Sequence, residues 1–414
     1  MWHLDRLVFF SCLIVVAASV SARATPFDFR TRSAGHFSVE VQERDDYERD
    51  FLKDWAAAHY RWGSGIPKEA LGAFSSTENK SQVPVTPVAH DMIYVAKVHI
   101  GNPPQLVKMA LDTGSSDVWS QSPDTKYSIN TNGPWPPRYN PNASTTAHPV
   151  DKATWYTHYA DGSYAEGIVY RDTVRLGNFE VKNATVQSAA IISPKMEGQT
   201  GYSGVMGFAK RLENTTKPPQ PTFLSMLRRQ LRKPVFAVDL RHNGSSRFDF
   251  GRVDATLGSE EMTWVPTNAT SPFWTVELNF MDRAGNHKFE TIVDTGSSMI
   301  FLPEKLTERY WNAATGVKVS QDSRGAYQFP CAAEHMLPDL KFKVPGTEHV
   351  LTVPGRYLNF HHIPHTELCW SGLQNSGWLS EESILGIPFL KAVFMGFDME
   401  SGRLGFANKD LHDK

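Results

Sequence analysis

Cysteine is scarce, with three residues in a chain of 414, so a disulfide-dense scaffold is excluded. Neither sign of charge dominates. Forty-two Lys and Arg stand against 44 Asp and Glu, and the formal net charge of −2 gives no reason to expect nucleic acid or an anionic membrane as partner. Beyond the N-terminus no apolar run approaches membrane-spanning length, and the tail "ANKDLHDK" is too polar for a lipid-anchor signal. No His pair stands at ligand spacing beside the cysteines, so no metal and no cofactor are expected. What is present is a chain that is 41% hydrophobic and 12% aromatic, rich enough to bury sizeable cores. Its 29 Gly and 26 Pro, with many β-branched and aromatic segments, favour a β-rich, turn-rich fold.

The N-terminus has the pattern of an export signal. Arg6 precedes the apolar run "LVFFSCLIVVAASV", Leu7 to Val20, and small residues continue through Ala24. The run suits a signal-peptide core better than a membrane anchor, with cleavage after Ala24, so secretion is expected, to the medium or as delivery to a vacuole. Cys12 would leave with the signal. Cys331 and Cys369 would remain, and in an exported protein they most simply form one disulfide, the alternative being two buried free thiols. Asn79, Asn142, Asn183, Asn214, Asn243 and Asn268 each head an N-x-S/T triplet, a candidate glycan site on an exported chain.

Residues 25–84 differ in texture from the rest of the chain. They are highly charged, show helical spacing at Phe51, Leu52, Trp55, Ala56 and Tyr60, and end in the Ser/Thr/Pro-rich "SSTENKSQVPVTPV". A charged segment between signal and body reads as a propeptide, the alternative being an ordinary N-terminal helical extension. The body contains an approximate duplication. "KMALDTGSSDVW" and "ETIVDTGSSMIFLP" each run an apolar strand into DTGSS, and each precedes an apolar-apolar-Gly element, "YSGVMGFA" around Gly207 and "ESILGIPF" around Gly386. Two copies make a two-lobed molecule with a cleft between, not a solenoid. The expected organisation is signal 1–24, propeptide 25–84, first lobe 85–262 and second lobe 263–414.

An Asp at the end of a strand, with Thr, Gly and Ser directly after it, suits a sharp turn that presents a carboxylate. Gly114 and Gly296 permit the tight backbone, Ser115 and Ser297 can donate to the carboxylates, and Thr113 and Thr295 can bond across to the other copy. One such turn alone would be read as an Asx cap. Two in matched contexts predict that Asp112 and Asp294 meet and share a proton, one activating a water and the other protonating a carbonyl oxygen. Glycoside hydrolysis also uses two carboxylates, but does not need identical sequence around both.

These motifs resemble the pepsin-like aspartic endopeptidases, closest in pattern to the secreted fungal enzymes, from about Asp91 to Ala407. "YVAKVHIGNPPQ" is similar to the family's N-terminal strand and turn, both DTGSS turns match its active-site turns, "WYTHYADGSYAEG" resembles its flap, and "ILGIPFLKAVFMGFD" its second hydrophobic-Gly element. The resemblance implies an all-β, bilobal fold preceded by a propeptide, with an active-site cleft between two related lobes. It makes Asp112 and Asp294 the catalytic pair, Thr113 and Thr295 an interlobe grip, and Ser115 and Ser297 orienting groups. Tyr159 would be the flap tyrosine meeting the Trp119 indole, though both could be plain core aromatics. Ala160, Asp161 and Ser163 would lie along the substrate, and in fungal relatives a flap Asp and Ser go with acceptance of Lys before the cut. The implied partners are protein or peptide substrates bound as extended strands, the chain's own propeptide as inhibitor, and pepstatin-type inhibitors. The implied enzyme is a monomer active at acid pH, preferring large hydrophobic residues around the cut.

The sequence departs from the family pattern in places. Ala160 replaces the usual flap Gly, and Ile387-Pro388 replaces the usual Asp and its successor. No lysine is clearly placed to neutralise the pair, Lys53 and Arg61 being candidates. No dibasic site lies near the expected junction, which points to acid-triggered self-cleavage. The competing class is a non-catalytic relative using the cleft as a binding module; such proteins typically lose a residue of one turn, and both turns are complete here.

Overall fold

The computed structural model describes residues 37–43, 51, 93–127, 135–158, 164–193, 201–242, 246–377 and 383–411. Contacts part Met1–Ser33 from Ala34–Lys414, and all described residues belong to the second unit. The expected signal peptide 1–24, with Cys12, lies outside the described residues. So does most of 25–84, with Lys53, Arg61 and Asn79.

Strands dominate, as the β-branched and aromatic composition predicts. The first half supplies β1 (Phe37–Glu43), β2 (Tyr94–Ile100), β3 (Gln105–Asp112), β4 (Val118–Lys126), β5 (His148–His158), β6 (Tyr164–Leu176), β7 (Phe179–Ile192), β8 (Gly204–Gly207), β9 (Val235–Asp239) and β10 (Ser246–Phe250). A short helix, α1 (Phe223–Leu227), is capped by Thr222, whose hydroxyl accepts from the Ser225 N–H. The second half supplies β11 (Thr263–Pro266), β12 (Thr275–Asp282), β13 (Gly285–Val293), β14 (Ile300–Leu302), helix α2 (Glu304–Ala313), β15 (Ser320–Gln321), β16 (Tyr327–Pro330), β17 (Leu340–Lys343), β18 (Val350–Val353), β19 (Asn359–His362), β20 (Leu368–Ser371), β21 (Leu373–Asn375), β22 (Ser383–Leu385), helix α3 (Ile387–Ala392), β23 (Val393–Asp398) and β24 (Arg403–Asn408).

Among the described residues these strands form three sheets. The largest has thirteen strands in the order β11-β24-β23-β9-β10-β1-β2-β3-β8-β4-β7-β6-β5, so it runs from the C-terminal half through the middle of the molecule into the N-terminal half. A seven-stranded sheet, β18-β17-β12-β13-β22-β14-β21, and a four-stranded one, β15-β16-β20-β19, complete the second half. The halves meet on aromatic packing. Phe236 of β9 stacks on Phe397 of β23 at 4.3 Å, and Trp274 stands edge-on to Phe397 at 5.2 Å.

The duplication read from DTGSS is a duplication of topology. In the first half β3 lies parallel to β8, β8 antiparallel to β4, and β4 parallel to β7. In the second, β13 lies parallel to β22, β22 antiparallel to β14, and β14 parallel to β21. Equivalent glutamines even occupy the outer strand of each unit: Gln187 pairs with Trp119, and Gln374 with Phe301.

β1 lies before the helical spacing read at 51–60 and gives the segment 25–84 a strand. It pairs antiparallel with β10 from Phe37↔Phe250 to Val41↔Ser246, then with β2 at Gln42↔Val95 and Glu43↔Tyr94. Val39 and Val41, two apart and therefore on one face, are both buried in the main core. The high charge of the segment obscures that alternation. The Cys331–Cys369 disulfide is formed, with Cα atoms 5.0 Å apart, tying the end of β16 to its neighbour β20.

Candidate active site

The two DTGSS loops come together as near-equivalent partners. The Thr113 N–H donates to the Thr295 hydroxyl oxygen at 3.0 Å, and the Thr295 N–H donates to that of Thr113 at 3.0 Å. Each hydroxyl then donates across the junction, Thr113 to the Val293 carbonyl at 3.0 Å and Thr295 to the Leu111 carbonyl at 2.8 Å. Four bonds thus tie the residues directly after Asp112 and Asp294 to each other and to the residues directly before the opposite aspartate. All the donors and acceptors are buried, so each would be costly to leave unpaired.

Each carboxylate is held by its own loop in the same way. Asp112 accepts from the Gly114 N–H at 2.8 Å and the Ser115 hydroxyl at 2.5 Å. Asp294 accepts from the Gly296 N–H at 2.9 Å and the Ser297 hydroxyl at 2.6 Å. Both aspartates are shielded from solvent, at 4% and 0% exposure. Each carboxylate therefore has one oxygen fixed by a backbone donor and the other by a hydroxyl donor, and both are held in a low-dielectric setting.

The apolar-Gly elements explain why those loops sit so tightly. A Cβ on Gly207 would lie 2.5 Å from the Ser115 carbonyl oxygen, and one on Gly386 would lie 2.2 Å from that of Ser297 and 2.3 Å from that of Met299. Only glycine lets β8 and β22 pass against the loops. The Phe208 N–H donates to the Asp112 carbonyl at 2.7 Å, and the Ile387 N–H to the Ser297 carbonyl at 2.8 Å. Ile387-Pro388, where the sequence departs from its relatives, opens α3 with Pro in its first turn and leaves the local turn intact.

Other expected site residues divide by place. β5 and β6 pair up to His158↔Tyr164, the two arms expected of the flap. Tyr159, Ala160, Asp161 and Ser163 lie outside the described residues. Trp119 is buried, 5.8 Å from Trp155. Of the glycan candidates, Asn142 and Asn183 are exposed, Asn268 is half-buried with its amide donating to Glu290 at 3.2 Å, and Asn243 is outside the described residues. Asn214 is a correction. Its side chain is 6% exposed and its carbonyl oxygen accepts from the Thr216 N–H, the Thr216 hydroxyl and the Gln220 N–H, so it structures the loop instead of facing solvent.

Asp117 is a buried acid close to the site that motif reading passes over, although it lies within DTGSSDVW. It is buried, and its carboxylate accepts from the Gln187 amide at 2.9 Å, the Thr215 N–H at 3.1 Å and the Thr215 hydroxyl at 2.8 Å. Burial pushes its pKa up, and the Thr215 hydrogen bonds only partly offset this. The second loop carries Met299 at the equivalent place, fully buried, so the support behind the two aspartates differs. That asymmetry between the two copies is the signal by which sequence alone could find it.

Paired aspartate loops, gripping one another at the junction of two duplicated β units, define the pepsin-like class of aspartic peptidases. Comparison with known proteins agrees. The model of the eukaryotic aspartyl protease family matches residues 93–409. The chain is 33% identical over 353 residues to endothiapepsin of Cryphonectria parasitica, covering 84% of this chain and 80% of that one. It is 30% identical over 356 residues to aspergillopepsin-1 of Aspergillus oryzae, covering 85% and 87%. Its fold is similar to that of the aspartic proteinase from Irpex lacteus, with a TM-score of 0.62 at 20% identity, over 77% of this chain and 95% of that one. The chain belongs to the eukaryotic aspartyl protease family and is an aspartic-type endopeptidase.

Proposed function

We propose that Asp112 and Asp294 form the catalytic dyad of an endopeptidase that works at acid pH and is made as a self-activating zymogen. The observation that carries this reading is the reciprocal threonine grip, which makes the two aspartate loops one unit instead of two independent turns. Two carboxylates held against each other do not both ionise readily, so the pair keeps one proton over an acid range. The ionised member takes a proton from a water between them, and that water attacks the peptide carbonyl carbon. The protonated member donates to the carbonyl oxygen as the tetrahedral species forms. Collapse then requires the nitrogen to receive the dyad's proton while a hydroxyl of the tetrahedral species returns one to the dyad as the C–N bond breaks, so the pair again holds a single proton. Ser115 and Ser297 fix which oxygens face the water.

On this reading the substrate lies extended across the cleft, under the hairpin of β5 and β6, with large hydrophobic side chains around the cut. Residues 1–24 direct export, and 25–84 inhibit the enzyme until acid releases them. The test is to express the full chain, shift it to acid pH and follow both its own cleavage and that of denatured haemoglobin. The expected result is pepstatin-sensitive hydrolysis with a bell-shaped acid profile. Acid-treated protein that binds peptides without cutting them would support a binding module in its place.

A further inference from the structure

The twofold logic of the site exposes two equivalent pockets that are filled from different parts of the chain. Behind Asp112, the residue two before it, Ala110, the residue seven after it, Trp119, and the residue two before Gly207, Val205, wall a buried apolar pocket. Trp155, from the hairpin of the same half, fills it. Behind Asp294 the equivalent positions are Ile292, Phe301 and Ile384, and they too wall one apolar cluster. What fills this second pocket is Phe51, from the N-terminal segment. Phe51 is 2% exposed, stacks face to face on Trp370 at 4.2 Å and 6°, and meets Phe360 edge-on at 5.6 Å.

We infer that Phe51 is the latch of the N-terminal segment, docked in an aromatic pocket beside Asp294, and that its occupancy of this pocket helps keep the uncut chain latent. The proposal rests on the reading that 25–84 is removed in activation. Ile292 is two residues from Asp294 along the same run of chain, about 7 Å away at strand rise, and alternation turns both side chains to the same side. A ring held there stands next to the space an extended substrate needs. β1 supplies the other attachment of the segment, through its ladders to β10 and β2. Backbone pairing of that kind is indifferent to side chains, whereas a pocket that stacks one flat ring is selective for it. The first half carries its filler permanently. The second loses its filler when the segment leaves, and the pocket then opens within the peptide-binding cleft.

The full-length chain tests this with Phe51→Ala, Phe51→Leu, Phe51→Trp and Trp370→Ala, and with Leu212→Ala as an exposed control. Self-cleavage after a shift to mildly acid pH should be at least tenfold faster in Phe51→Ala and Trp370→Ala, faster to a lesser degree in Phe51→Leu, and within about twofold of the parent in Phe51→Trp and the control. A second readout uses the same variants in an Asp112→Asn background, where no turnover occurs. There the amides of 246–250 and 368–371 should exchange hydrogen faster without Phe51. Should Phe51→Ala fail to fold, Phe51→Leu and Trp370→Ala carry both measurements. Parent-like latency together with parent-like exchange in the folded variants overturns the latch. If no chain ever hydrolyses peptide, the proposed function fails while the exchange measurement still decides the docking.

Discussion

The two bonds between Thr113 and Thr295, with the two that run on to Val293 and Leu111, set the energetics of the site at the scale of single residues. Each hydroxyl both donates and accepts, so Thr113→Val, which keeps the shape, leaves the buried Val293 carbonyl and Thr295 N–H without partners. At about 1–3 kcal/mol for each orphaned group, a loss of roughly 2–6 kcal/mol of stability is expected in denaturant titration. Each substitution removes a different two of the four bonds, and the double variant Thr113→Val/Thr295→Val should cost less than the sum of the two, because losing either pair loosens the loop that holds the other. Additive losses would mean that the grip does not act as a unit. Asp117 makes a separate prediction about pH. Its folded pKa lies above the ordinary value of 3.8, so the folded chain holds that proton more tightly than the unfolded chain. This contribution is complete below 3.8 and is lost as pH rises through the folded pKa. Asp117→Asn should therefore flatten the decline in melting temperature between about pH 3 and neutrality. An unchanged slope would show that other groups carry it.

At the scale of elements, the decisive contacts are backbone against backbone. Gly207 and Gly386 look like ordinary turn glycines in the sequence, yet each is required by a carbonyl within 2.5 Å of where a Cβ would sit. Gly386→Ala should cost more than the roughly 1–3 kcal/mol usual for overpacking, since neither Ser297 nor Met299 can move its carbonyl without moving the loop of Asp294. Thermal melting and activity measured together check this; a stable, fully active alanine variant would contradict it. The repeated apolar-Gly signature makes these elements findable from sequence. β1 is not findable in that way, because a high local charge masks two inward valines, and because its partners β10 and β2 lie far away along the chain. Phe51 stands out in the sequence only as part of a helical spacing. Its stacking on Trp370 is a tertiary fact that no local pattern encodes.

At the scale of the whole molecule, one feature makes the architecture legible: the second DTGSS. It implies duplicated units, a shared site and a cleft, and the two halves do repeat one strand topology. The lone disulfide is legible for a simpler reason, since only two cysteines remain beyond the N-terminal run. It closes a separation of 38 residues, and replacing both cysteines with Ser should cost about 4 kcal/mol on the chain-entropy estimate, read as a lower melting temperature. Sequons are less informative, because a triplet reports nothing about burial, and Asn214 spends its side chain on its own loop. Symmetry also has its limits. The halves agree at the threonines, serines and glycines that hold the aspartates, and differ where Asp117 in one corresponds to Met299 in the other and where Trp155 and Phe51 fill the equivalent pockets.

The claim on which all of this depends is that neither aspartate loop is a site by itself. It is tested most directly by comparing the acid-pH hydrolysis of denatured haemoglobin by Asp112→Asn and Asp294→Asn with that of the parent chain. Both variants should fold, keep the melting behaviour of the parent within a small margin, and each lose activity by on the order of 10³-fold or more. Near-parental activity in either one would show that the two aspartates are not a catalytic pair.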